Sequence, residues 1–97
     1  MNEAQDVITA ARRLHILKAL ALRPQYRADP RGLRQELEVT GYAMTLTKLA
    51  VECAFLDDLG LVDAPENGLL ALTDDGLSVV RGLIRLPGIG TPDPGEL

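Results

Sequence analysis

The chain has a single cysteine, Cys53, a single histidine, His15, no tryptophan, and only three aromatic residues, Tyr26, Tyr42 and Phe55. One cysteine excludes an internal disulfide. One cysteine and one histidine, far apart in sequence, cannot supply the clustered ligands of a thiolate–imidazole metal site, so no metal is expected. With 3 % aromatics in 97 residues, a core must be built from Leu, Val, Ile and Ala, which suits packed helices. No apolar run approaches the roughly 18–20 residues of a membrane span. The stretch from Met1 to Asp6 is polar and acidic, unlike a secretory leader. The expectation from these absences is a cytoplasmic protein with no membrane role. Catalytic signatures are missing as well. The glycines stand singly as stops and turns and form no phosphate-cradling loop. Asp57-Asp58 and Asp74-Asp75 are adjacent pairs, which diverge on a helix, and His15 has no nucleophile at a recognisable spacing. No catalytic residue and no cofactor are expected.

What is present is first of all an asymmetry of charge. Residues 1–50 carry eight basic and five acidic side chains, whereas residues 51–97 carry two basic and nine acidic ones, within a net charge of −4. Only the first half could displace counterions from a phosphate backbone.

Apolar spacing predicts a first helix over about Asp6 to Leu22, with Val7, Ala10, Ala11, Leu14, Leu17 and Ala21 on one face. Ile16, Ala19 and Leu20 add a second apolar face, and a helix apolar on two sides is deeply buried or shared with another chain. Pro24 ends it. Asp29-Pro30 starts a second helix, with Asp as cap and Pro at the first position, running to about Val39. After Gly41, Thr45 caps a third helix whose stripe is Leu46, Leu49, Cys53 and Leu56, and Gly60 stops it. Two short apolar runs, Leu61 to Ala64 and Leu69 to Leu72, flank Pro65-Glu66-Asn67-Gly68 as a β-hairpin. Thr73 then caps a fourth helix to about Leu86, with Asp74 and Asp75 at its positive end.

This pattern predicts a mainly α fold with a small β-hairpin, in the order α-α-α-β-β-α: a winged helix-turn-helix over residues 1–86 and a Pro/Gly-rich tail over 87–97. Several stretches carry a resemblance. They are Arg13-Leu14-His15-Ile16-Leu17, Gly41, Phe55-Leu56-Asp57-Asp58-Leu59-Gly60-Leu61-Val62, Leu72-Thr73-Asp74-Asp75-Gly76 and Leu86-Pro87-Gly88-Ile89-Gly90-Thr91-Pro92. By these residues the chain resembles winged-helix domains of the bacterial ArsR/MarR type, and more closely a family of small proteins of Mu-like phages and prophages. The likeness covers nearly the whole chain, with the tail and the Leu-Gly-Leu-Val region its distinctive parts. It implies a winged helix with a regulatory, DNA-binding role. That family tends to carry several arginines and an aromatic along the third helix, whereas Ala43 to Glu52 here has Lys48 as its one basic residue.

The leading expectation is therefore a transcriptional regulator that binds duplex DNA. Thr45, Thr47 and Lys48 would enter the major groove, and Arg31 and Arg34 would hold phosphates. Thr45, Thr47 and Lys48 are a thin supply of base-reading donors, and Asp63 and Glu66 on the wing would face phosphate. The alternative is a winged-helix protein-interaction module without significant DNA binding, using Met44, Val51 and Phe55. A homodimer is expected through the first helix, the fourth helix and the tail, with Ile16, Leu20 and Ile89 at the interface, because these are surplus apolar positions. Arg12 and Arg13 read as solvated, and Cys53 as a small buried hydrophobe.

Overall fold

A capping side chain starts three of the helices, at the residues the sequence pattern predicts, and a left-handed glycine follows three of them, Gly41 and Gly60 as predicted and Gly82 in addition. The computed structural model describes residues 3–93. Helix α1 spans Glu3–Ala21, α2 Pro30–Val39, α3 Leu46–Asp58 and α4 Asp74–Val80. The Asp29 carboxylate accepts from the Gly32 N–H at 3.3 Å, the Thr45 hydroxyl from Lys48 N–H at 3.0 Å, and the Thr73 hydroxyl from Gly76 N–H at 3.1 Å. All three expected caps are in place.

Three short strands form one antiparallel sheet in the order β1-β3-β2: β1 is Arg27–Ala28, β2 Val62–Asp63 and β3 Leu70–Leu72. Ala28 lies opposite Leu70, and Val62 opposite Leu72. The β2–β3 hairpin is the expected one. Strand β1 is not, so the order is α-β-α-α-β-β-α. Two residues carry no readable alternation, and their partner is a strand far along the chain.

Helix α1 is the centre of the molecule. Helices α2 and α4 and strand β3 pack around it, burying Leu14 and Leu17 of one apolar face and Ile16, Ala19 and Leu20 of the other within one chain, while Val7 near its start stays 66 % exposed. Ile16 and Leu20 have no exposed surface at all, and Ile89 is buried as well. This corrects the assignment of Ile16, Leu20 and Ile89 to a dimer interface. A helix apolar on two sides was open to two solutions, and here it is enclosed by its own fold.

Two further boundaries differ from expectation. Helix α4 stops at Val80 rather than near Leu86. Gly82 adopts φ 76°, its N–H bonds the Val79 carbonyl, and the Leu83 N–H bonds the Ser78 carbonyl. That left-handed residue closes the helix. The segment after Pro87, set apart from the folded domain as a Pro/Gly-rich tail by its composition, lies on α1: the Gly90 N–H donates to the Ala10 carbonyl at 2.9 Å. At the opposite end of α4, Gly76 is held so close to the chain that a Cβ there would sit 2.1 Å from the Leu61 carbonyl oxygen. Thr73 locks the same junction, donating its hydroxyl to the Gly60 carbonyl at 2.7 Å and its N–H to the Leu61 carbonyl at 3.1 Å. No helix among the described residues is long and apolar enough to cross a membrane.

Candidate functional site on the third helix and the hairpin

Helix α3 divides its residues by helical geometry. Leu49, Cys53 and Leu56 point into the core, as the stripe predicted; Leu46, the fourth member of that stripe, is exposed instead, and Glu52 joins the buried side at only 2 % exposed. Its carboxylate accepts from Arg13 Nε at 2.7 Å, with Lys48 Nζ at 3.4 Å from the other oxygen. The Arg13 guanidinium lies 3.7 Å over the Phe55 ring and donates to the Gly88 carbonyl at 3.1 Å. A buried carboxylate needs such compensation, because an unpaired charge in the interior is strongly unfavourable. Arg13, expected to be solvated, is therefore a structural residue joining α1, α3 and the segment after Leu86. One signal for this site was legible: Glu52 falls on the apolar spacing of Leu49 and Leu56. Its partner, 39 residues away, was not.

The residues singled out for DNA are dispersed in role. Arg31, Thr45, Thr47 and Lys48 are exposed, but Thr45 is committed as the helix cap and Lys48 is paired to Glu52. Arg34 lies 3.7 Å from Glu38, and neighbouring Arg23 lies 3.5 Å from Glu36. Arg23, Arg34 and Lys48 are thus each set against a carboxylate. Of the residues proposed for a protein partner, Met44 and Phe55 are partly buried against the core, and Phe55 is covered by Arg13. Val51 remains open to solvent, 56 % exposed.

Beside α3 runs a feature the sequence did not announce. A groove of about 500 Å³ separates α3 from the hairpin, within the usual range of ligand-binding clefts. Leu49, Cys53 and Leu70 lie at its base, Leu46, Ala50 and Ala54 along the helix side, and Ala64 and Pro65 along the hairpin side. Every charged residue lining it is acidic: Asp57, Asp58 and Glu66. Asp57 also fixes its width, because its carboxylate accepts from the Ala64 N–H at 3.0 Å.

Cys53 presents no thiolate to the groove. Burial, with the Glu52 carboxylate adding to it, pushes the Cys53 thiol up to about 11, so at neutral pH it is a packed thiol rather than a thiolate. His15 stacks on Tyr42 with ring centroids 4.2 Å apart, and its Nε2 lies 2.9 Å from the Thr40 hydroxyl. These contacts tie α1 to the α2–α3 connection. Among the described residues no group of three or more His, Cys, Asp or Glu could hold a metal ion. Comparison with known protein families, with curated proteins and with solved structures gives no match to the chain.

Proposed function

We propose that the chain is a winged-helix protein-interaction module that docks a partner on α3 and the hairpin. The observation that carries this reading is the chemistry of that face: an apolar groove with Asp57, Asp58 and Glu66 at its edge and Lys48 paired to Glu52. A DNA-reading face needs free positive charge and side chains such as Arg or Asn directed at base edges. The strand before α2 and the hairpin after α3 support the winged-helix layout. The resemblance to small proteins of Mu-like phages and prophages supports a regulatory setting and belongs to the same proposal.

Duplex DNA is the competing partner, favoured by the exposure of Arg31, Thr47 and Lys48 on α2 and at the start of α3. The deciding measurement is fluorescence anisotropy of a labelled mixed-sequence duplex across a salt series. The proposal expects no saturable binding at 150 mM salt with the protein at tens of micromolar. Three phosphate contacts per subunit, from Arg31, Arg34 and Lys48, make six in a dimer and would give a log-affinity against log-salt slope of roughly −5. Binding at that salt with such a slope, weakened by Lys48→Ala, overturns the module in favour of DNA.

A homodimer is part of the proposal too, with its anchors moved. Leu22 at the end of α1 is 82 % exposed and Leu83 after α4 is 75 % exposed, and these apolar side chains take the place of Ile16, Leu20 and Ile89.

A further inference from the structure

Taking the interaction-module reading as its basis, we infer that the groove between α3 and the β2–β3 hairpin is a docking site for a basic amphipathic helix of a partner protein. Three observations converge on that occupant. The first is shape. Leu46, Ala50 and Ala54 lie one helical turn apart on the groove side of α3, and the groove continues to Asp58, a length of about 18 Å at 1.5 Å per residue. That matches roughly three turns of a partner helix. Alanine at two successive turns leaves room for a second helix to approach at the 8–10 Å axis separation of packed helices.

The second observation is charge. The charged residues lining the groove are all acidic, and Asp58 and Glu66 stand exposed on opposite sides of it, one at the end of α3 and the other on the hairpin loop. A helix with an apolar stripe and flanking Lys or Arg would bury its stripe on the exposed Leu46, Ala50, Ala54 and Pro65 while its cations meet both rims. Such complementarity selects a partner and speeds its association. It also disfavours the other occupants: phosphate backbones meet like charge, and a second copy of this chain brings a net charge of −4.

The third is preorganisation. The Asp57 carboxylate bound to the Ala64 N–H ties the hairpin loop to α3, so the groove is open without a partner. Less ordering has to accompany binding than in a site that must first form.

The test uses two labelled 18-residue peptides of identical leucine pattern, one with Lys and one with Glu at the remaining positions, titrated with the full chain at 150 mM salt. The expected result is saturable binding of the Leu/Lys peptide and at least tenfold weaker binding of the Leu/Glu peptide. Ala54→Trp, an exposed position that fills the groove, should weaken Leu/Lys binding about tenfold while the circular dichroism spectrum stays unchanged. Asp58→Lys with Glu66→Lys should shift the preference toward the Leu/Glu peptide. Binding of the Leu/Lys peptide that Ala54→Trp does not affect overturns the inference, since the peptide then adheres elsewhere. Binding of neither peptide overturns it too. Preference of the parent chain for Leu/Glu would sink the basic partner alone and leave the module standing, which fails only on the DNA titration above.

Discussion

At the scale of single residues, the most consequential choice is Glu52. It places a carboxylate where the spacing of α3 calls for an apolar side chain, and Arg13, with Lys48 beside it, makes that tolerable. Removing one partner of a buried pair costs more than replacing both, because the survivor is left charged and poorly solvated. Arg13→Ala is therefore expected to lower stability by about 3 kcal/mol. Arg13→Met combined with Glu52→Leu should lose less than Arg13→Ala alone, a comparison that urea denaturation of the variants decides. Cys53 gives a second residue-level expectation. Its thiol titrates near 9.0 when unexposed to the fold and near 11 within it, so the unfolded chain releases a proton in a range where the folded chain keeps it. The stabilisation is complete below pH 9 and is lost as pH rises toward 11. The loss is about 3 kcal/mol, and it should be absent in Cys53→Ala when urea midpoints are compared across that window. Alkylation of the native chain at pH 8 should correspondingly be at least tenfold slower than in urea.

Among the elements, the junction of α3, the hairpin and α4 carries the tightest constraints. Thr73 serves both sides of it, accepting from Gly76 N–H and donating to the Gly60 carbonyl. Loss of a cap hydroxyl usually costs about 1 kcal/mol, and Thr73→Ala gives up a second bond as well, so a loss of about 2 kcal/mol is expected in thermal or urea unfolding. Gly76→Ala should be worse, by about 3 kcal/mol or more, because its Cβ meets backbone at Leu61 and the helix must shift to relieve the overlap. If the alanine variant melts within a degree or two of the parent, α4 does not approach the chain as closely as described. The short α4 follows the same logic: the apolar residues up to Leu86 suggested a longer helix, and Gly82 in the left-handed region ended it.

For the whole molecule, the decisive fact is that α1 runs through the middle. A charge at Leu20 would be expected to dissociate a dimer if that side chain were at an interface. Since Leu20 is fully buried within the chain, Leu20→Glu is instead expected to abolish cooperative unfolding, with a circular dichroism signal of an unfolded chain. The dimer is tested where the apolar surface actually lies. Leu22→Lys with Leu83→Lys should leave the fold intact and convert a dimeric mass in light scattering to a monomeric one. A parent chain that is monomeric at several hundred micromolar removes the homodimer.

The sequence by itself determined the helices α1, α2 and α3 to within a few residues, the caps of α2, α3 and α4 at Asp29, Thr45 and Thr73, and the hairpin. These are local matters: an oxygen three residues before an orphan N–H, a glycine after the last turn, an apolar period of 3.6. Strand β1, the pairing of Arg13 with Glu52, and the burial of both faces of α1 were decided only by the tertiary structure, because each depends on groups distant in sequence. The same holds for the candidate site. The acids Asp57, Asp58 and Glu66 and the small residues Ala50 and Ala54 were readable one by one. That they border one groove follows from the hairpin folding back along α3, held there by the Asp57 bond to Ala64, and no periodicity along a single element encodes that contact.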